Sequence, residues 1–121
     1  MKSISLDAIS HKDSNGEYWL ARELMPVIGA TNWISFRYAV ETSSQILQNT
    51  ESAPEKHLTK IVAPNPNSKA GRNYLDFRLS AYAAYLAVLN LNPWDENVAK
   101  AQLYFTTKIF SPKQKTGGIN E

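Results

Sequence analysis

The first part of the chain alternates apolar and polar residues in a way that predicts a β-hairpin followed by a short helix. Strand-forming residues flank an Asn-Gly turn signal at residues 13–16, so residues 9–20 are expected to form the hairpin. Residues 21–28 place apolar side chains on one side of a helix, and Gly29 stands where that helix is expected to end.

A longer helix is predicted next, because apolar residues recur at helical spacing up to about residue 48. Thr31 or Asn32 can cap its start. The polar stretch 48–54 breaks the pattern and predicts a loop. The positions expected to face the core are Trp33, Phe36, Ala39, Val40, Ser43 and Leu47.

The middle of the chain predicts a second hairpin with a long tip. Residues 58–62 alternate and suit a strand, and residues 74–79 return as its partner. Residues 64–73 between them contain two prolines, a glycine and three asparagines. That composition makes this segment the most loop-like part of the chain.

Two further helices are predicted after the second hairpin. Ser80 is expected to cap the first, and the Asn-Pro pair at residues 92–93 is expected to stop it. Asp95 is expected to cap the second. The apolar face of the first helix is predicted to consist of Tyr82, Tyr85, Leu86 and Leu89. That of the second is predicted to consist of Val98, Ala101, Tyr104 and Phe105.

The order of hairpin, two helices, hairpin and two helices predicts a small single domain of the α+β class, with two β-hairpins and about four helices. The domain is expected to occupy residues 1–110, and residues 111–121 are predicted to form a flexible tail. With 121 residues, 43% of them hydrophobic and 20% charged, the chain has the size and balance of an ordinary globular domain.

Composition narrows the classes of function. The chain has no cysteine, which excludes disulfides and thiolate metal sites and favours a reducing cytoplasm. The N-terminus lacks the apolar run of a signal peptide, and no segment reaches the roughly 20 apolar residues of a membrane span, so no membrane partner is expected. The net charge of +2 is too small to establish nucleic-acid binding by itself.

Four segments in the same order resemble the DNA-damage-inducible protein D family. Residues 16–24 with 27–29 correspond to its "YW-ARELxxxLGY" opening, and residues 76–86 to its "DYxLSRYACYL" segment. Residues 90–93 and 99–105 correspond to its "QNGDP" and "AxAQTYFA" segments. That family is similar in turn to the BRO-N domains of phage antirepressors and viral proteins.

The resemblance implies an α+β BRO-N-like domain used in DNA binding and regulation, in the damage response and in association with the recombination machinery. Such a domain is often followed by a second, variable region. Two departures bear on function. Residues 80–82 read Ser-Ala-Tyr instead of "SRY", which removes a cation, and residues 90–93 read Asn-Leu-Asn-Pro instead of "NGDP", which removes an acid and a glycine.

The second hairpin carries the strongest candidate for function, because cations cluster there with aromatic residues among them. Arginine and lysine can contact phosphates, and asparagine can read base edges. An ordinary solvated loop would show a similar composition. The residues predicted to bind DNA are Lys56, Lys60, Lys69, Arg72, Asn73 and Arg78 in the hairpin and Arg37 on the long helix.

Arg22 stands in the first turn of a helix, where the helix dipole disfavours a cation. A phosphate, a partner's carboxylate, or an internal pair with Glu23 or Glu41 would explain it, and we expect the internal pair. Most aromatic residues fit core positions. Trp94 follows a proline at a turn, where exposure would suit a protein contact, although core packing is the expectation.

Enzyme functions find little support. His11 and His57 are the only histidines, and neither has the spacing of a metal ligand. No nucleotide-binding or nucleophile motif is present. Asp76 stands alone among apolar residues, and Ser80 has no histidine near it in sequence, although the fold could bring one close. The sequence therefore predicts no catalytic site, no metal site and no cofactor.

Two hypotheses follow. The first is a non-catalytic regulatory domain that binds DNA, preferring duplex to single strand, through electrostatic contacts that weaken with salt. The alternative is an antirepressor-like module that binds a repressor or recombination protein without touching DNA. The near-neutral charge and the missing cation at residue 81 favour the alternative. Either could act as a homodimer.

Overall fold

The computed structural model describes residues 5–65, 67 and 73–110. Its strands are β1 (His11–Asp13), β2 (Gly16–Leu20), β3 (Leu58–Pro64) and β4 (Asn73–Leu79). Its helices are α1 (Ala21–Val27), α2 (Trp33–Thr50), α3 (Ala81–Val88) and α4 (Glu96–Phe110). Short 3-10 turns lie at Leu6–Ile9 and Pro54–Lys56.

One antiparallel sheet joins two hairpins in the order β1-β2-β4-β3. β3 and β4 pair along their whole length, from Leu58 opposite Leu79 to Pro64 opposite Asn73. β2 joins β4 through only two pairs at the C-terminal end of β4. The α+β class, the two hairpins and the four helices predicted from the sequence are confirmed.

The first hairpin turns through Ser14 and Asn15, and Asp13 pairs with Gly16. The Asp13 carboxylate accepts a hydrogen bond from the Asn15 backbone N–H at 2.8 Å. Gly16 has a φ of +117°, and no residue other than glycine has a positive φ in the described part of the chain. The Asn-Gly signal therefore locates the hairpin correctly. Within this turn, Gly16 is the residue that adopts a positive φ.

The core lies between one face of the sheet and the helices. The Trp19 ring meets Phe105 edge to face, with 5.0 Å between the ring centroids. Its indole N–H donates to the Leu6 carbonyl oxygen at 2.9 Å, which satisfies the one polar group that the ring brings into the core. The largest fully buried side chains include Trp19, Leu24, Ile28, Phe36, Leu47, Leu79 and Phe105.

Polar residues begin three of the helices as predicted. Asn32, Ser80 and Asp95 accept backbone N–H groups from the first turns of α2, α3 and α4 at 3.1, 3.1 and 2.9 Å. Each cap satisfies a donor that the helix itself leaves unpaired.

Two helix ends differ from the prediction. α2 continues to Thr50 although the polar pattern predicts a loop from residue 48, and the Glu51 backbone N–H closes its last turn by donating to the Leu47 carbonyl oxygen at 2.8 Å. α3 ends at Val88, before the Asn-Pro pair at residues 92–93. The Asn90 side chain donates to a carbonyl oxygen of the last turn at 2.9 Å and so completes that end.

The predicted apolar face of α3 is confirmed only in part, because Tyr82, Tyr85 and Leu86 pack against the edge of the core and do not form its centre. The side chains that α3 buries completely are Ala83, Ala84, Ala87 and Val88. The residues predicted for that face, Tyr82, Tyr85, Leu86 and Leu89, are half-buried or, for Leu89, 49% exposed. Ser43 on α2 donates to the Ala83 carbonyl oxygen at 2.9 Å, so the two helices approach too closely for large side chains between them.

Candidate nucleic-acid interface

The second hairpin extends beyond the sheet as a two-stranded ribbon. At its base, β2 pairs only with Leu79 and Arg78 of β4. The pairing of β3 with β4 then continues through residues 60–64 and 73–77, and none of the described strands lies beside it. We call this segment the β3–β4 ribbon. The second predicted hairpin is thereby confirmed, with strands that reach Pro64 and Asn73.

The base of the ribbon is tied to α1 through Arg22 and Asp76. The backbone N–H of Arg22 donates to Oδ1 of Asp76 at 2.9 Å, and Nε of Arg22 donates to the Leu75 carbonyl oxygen at 2.8 Å. The Asp76 carboxylate takes the place of a helix cap, because Leu20 before α1 offers no side-chain cap. Asp76 is 5% exposed, and burial raises its pKa against the opposing effect of the N–H donors.

Lys56 and Lys60 are exposed cations at the hairpin. Lys56 ends the 3-10 turn before β3, and Lys60 lies in β3 opposite Phe77. Neither forms an ion pair with a carboxylate in the part of the chain that the structure describes. Their ammonium groups are therefore available to an external anion. Asn73, opposite Pro64 at the outer end of β4, is exposed as well.

Arg78 has an intramolecular partner that the sequence did not reveal. Its two terminal nitrogens donate to the Asp13 carboxylate at 2.6 and 2.9 Å, and its guanidinium stacks 3.8 Å from the centroid of the Tyr18 ring. The Arg78 hydrogen bonds lower the pKa of Asp13 to about 2. A base contact by Arg78 stays a prediction, and it would require this ion pair to open.

The remaining residues predicted to bind DNA lie on α2 or outside the described residues. Arg37 lies on α2, not on the hairpin, and its Nε donates to Glu41 at 3.0 Å. Glu41 was expected as a possible partner of Arg22, and it pairs with Arg37 instead. Lys69 and Arg72 lie outside the described residues, as does the predicted tail at 111–121.

The structure also places the residues whose roles the sequence left open. Glu23 pairs with His11 at 2.6 Å, so the expected pairing of Arg22 with Glu23 or Glu41 is wrong, although Arg22 does make internal contacts. Trp94 is 92% exposed, which overturns the expectation of core packing. Its backbone N–H donates to the Asn92 side chain within the turn, and the ring is left outside the core.

The register of the second hairpin produces a serine–histidine contact. His57 precedes β3 and Ser80 follows β4, so the Leu58–Leu79 pair brings Nδ1 of His57 to 3.0 Å from Oγ of Ser80. Nε2 of His57 lies 3.9 Å from Glu51, beyond hydrogen-bond distance. Because Ser80 Oγ already accepts a backbone N–H of α3, the contact joins a strand end to a helix start. Only the strand register could have revealed it.

Among the described residues, no three side chains of histidine, cysteine, aspartate or glutamate are grouped so that they could hold a metal ion. None of the helices in residues 5–65 and 73–110 has the length and apolar character that crossing a bilayer requires.

The sequence is similar to DNA damage-inducible protein D of Escherichia coli (strain K12), with 30% identity over 95 residues. The alignment covers 77% of this chain and 35% of that protein, so the chain spans about a third of the length of this relative. The resemblance to the protein D family is thereby confirmed. The comparison with protein families finds no match, and no solved structure matches the chain, so BRO-N membership stays a prediction.

Proposed function

We propose that this chain is a non-catalytic regulatory domain that binds duplex DNA through the β3–β4 ribbon in the response to DNA damage. The observation that carries the proposal is the ribbon itself. It projects past β2 as two paired strands, with Lys60 in the ribbon and Lys56 at its base, in the turn before β3. Both lysines are exposed and have no carboxylate partner among the described residues.

A two-stranded β-ribbon fits the major groove of duplex DNA, which is about 12 Å wide. Lys56 and Lys60 would contact phosphates and set the position of the ribbon, whereas Asn73 would face base edges. Lys69 and Arg72 are included on the strength of the sequence alone. Arg78 would hold the two hairpins together instead of reading bases, because Asp13 occupies both of its terminal nitrogens.

The similarity to a damage-inducible protein supports a regulatory role in the damage response. Duplex is favoured over single-stranded DNA, because binding of unpaired bases uses several exposed aromatic rings on one surface. The aromatic residues of the described ribbon are Tyr74, which is half-buried, and Phe77, which is buried.

Fluorescence anisotropy with labelled duplex and single-stranded DNA, at about 50 and 200 mM salt, tests the proposal. The proteins compared are the wild type, Lys56→Ala/Lys60→Ala and Lys69→Ala/Arg72→Ala. Each double variant should reduce the slope of log K against log salt by about 1.8, because each lost phosphate contact removes about 0.9. Lys100→Ala is the matched control, since Lys100 is an exposed lysine on α4.

A folded wild type that shows no salt-sensitive binding at low salt would overturn the proposal. Double variants that bind like the wild type, with circular dichroism unchanged, would exclude the hairpin as the contact surface. Tighter binding to the single strand than to the duplex would reverse the assignment of the nucleic acid.

A second candidate is an antirepressor-like module that binds a repressor or recombination protein. Exposed apolar side chains favour it: Trp94 is 92% exposed, and Leu103 and Phe110 on α4 are each 68% exposed. Aromatic side chains are frequent anchors of protein interfaces. The net charge of +2 also suits a protein partner at least as well as DNA.

Trp94→Ala separates the two candidates. It should leave DNA binding unchanged if the ribbon is the interface. Capture of a repressor or recombination protein that resists high salt and is lost in Trp94→Ala would instead support the protein-binding function. Sedimentation of the wild type and this variant at equal concentrations shows whether the same side chain supports a homodimer.

A further inference from the structure

We infer that Arg22 is a positioning residue that fixes the direction in which the β3–β4 ribbon leaves the body of the protein. The inference rests on the proposed function, because the direction of the ribbon matters to the extent that the ribbon meets DNA. Arg22 itself would touch no DNA in this arrangement. It would act through Tyr74 and Leu75 of β4.

The guanidinium of Arg22 lies between two aromatic rings. Its central carbon is 3.8 Å from the centroid of the Trp33 ring and 4.8 Å from that of the Tyr74 ring. Trp33 is the first residue of α2, whereas Tyr74 belongs to the outer half of the ribbon. One side chain therefore connects the ribbon to α2, the longest of the described helices, through two cation–π contacts.

Arg22 also lies beside a part of the β4 edge with which none of the described strands pairs. β2 stops pairing with β4 after Leu20, so the next carbonyl oxygens along that edge of β4 have no strand beside them. Nε of Arg22 donates to the Leu75 carbonyl oxygen at 2.8 Å, and its backbone N–H donates to Asp76 at 2.9 Å. The first turn of α1 thus holds two consecutive ribbon residues at the point where the sheet ends.

The position of Arg22 in its helix indicates that its contacts, and not its charge, explain the residue. A positive charge in the first turn of a helix opposes the helix dipole and carries a small cost. Lysine would keep the charge, but it has neither the Nε–H that reaches Leu75 nor a planar group that stacks on two rings. The contacts with Trp33, Tyr74 and Leu75 account for an arginine at this position, whereas charge alone does not.

Loss of this connection should allow the ribbon to open away from α2. If the ribbon then held the binding-competent direction about one tenth of the time, the measured Kd would rise about tenfold, because affinity falls in proportion to the competent fraction. The number of phosphate contacts in the bound state would not change. The slope of log K against log salt should therefore stay as in the wild type.

Arg22→Lys tests the inference by anisotropy titration with duplex DNA and by hydrogen–deuterium exchange of the free protein. We expect Kd to rise about tenfold with an unchanged salt slope. Amide exchange should accelerate in residues 60–63 and 73–77, while α2 and α4 keep wild-type protection. Lys60→Ala is the control. It should reduce the salt slope and leave the amide exchange of the ribbon unchanged.

Tyr74→Leu provides a second route should Arg22→Lys prove too unstable to purify, because it removes one ring from the ribbon side and leaves Arg22 in place. Unchanged ribbon exchange in both variants would overturn the inference alone. A salt slope reduced as in Lys60→Ala would overturn it too, since Arg22 would then be a phosphate contact. Absence of DNA binding by the wild type would overturn the proposed function, and the exchange result would still show whether Arg22 holds the ribbon.

Discussion

Asp76 is a carboxylate that the fold buries where a helix begins beside a strand. Its Oδ1 accepts the backbone N–H of Arg22 at 2.9 Å and that of Phe77 at 2.8 Å. Two otherwise unpaired donors are therefore satisfied by a single side-chain oxygen. The isolated aspartate that the sequence shows among apolar residues has a structural role of its own in this arrangement.

Asp76→Ala should lower the free energy of unfolding by about 1–3 kcal/mol, because it leaves two N–H donors without an acceptor in a buried place. Asp76→Asn keeps an oxygen at the same position and should cost clearly less. Urea unfolding of the two variants at neutral pH measures both effects. Equal losses in the alanine and asparagine variants would show that the acceptor is not what matters.

The contribution of Asp76 to the stability of the protein depends on pH with a definite sign. Burial raises the pKa of Asp76 above its ordinary value of 3.8, so the native state binds the proton more tightly than the unfolded chain does. This contribution to stability is fully present below pH 3.8 and is lost as the pH rises through the native pKa. The stability of the wild type relative to Asp76→Asn should therefore fall as the pH rises. A relative stability that increased with pH would contradict the assignment.

At the scale of elements, α3 shows where sequence periodicity stops being informative. The helix is apolar around most of its circumference, so several faces fit a helical period equally well. The close approach of α2, marked by the Ser43 hydrogen bond to Ala83, selects the face of small residues. The caps at Asn32, Ser80 and Asp95 were predictable because each involves residues no more than three positions apart.

Ala84→Leu should destabilise the protein by about 1–3 kcal/mol, because the added carbon atoms have no space between the packed helices. Ala99→Leu makes the same change at an exposed position of α4 and should alter stability by about 0.5 kcal/mol or less. Thermal or urea unfolding of both variants provides the comparison. A tolerated leucine at residue 84 would mean that α2 and α3 can separate without cost.

At the scale of the whole molecule, the Arg78–Asp13 ion pair joins the two hairpins across 65 residues of sequence. No local pattern predicts it, because it depends on the two pairs that bring β2 beside β4. For the same reason, the predicted set of DNA contacts included Arg78 without its partner Asp13. Local signals could locate both hairpins, whereas the partners of their charged side chains follow only from the assembled sheet.

The ion pair predicts an acid dependence opposite in sign to that of Asp76. The Arg78 hydrogen bonds lower the pKa of Asp13 from 3.8 to about 2, so the stabilisation is present above pH 3.8 and is lost as the pH falls through about 2. Asp13→Asn should therefore flatten the stability curve between about pH 4 and 2. Unfolding monitored by tryptophan fluorescence over this range checks it. An unchanged curve would show that the pair is open in solution.

The continuous pairing of β3 with β4 divides the hairpin into a part that resists change in length and a part that tolerates it. Removing one residue from β3 would shift its register and exchange the faces on which Lys60 and Ile61 lie. Residues added between Pro64 and Asn73 would leave every pair intact, and doubling that connection would cost only about 0.6 kcal/mol in closure entropy. The connection between Pro64 and Asn73 can therefore change in length and composition while the same strands continue to carry it.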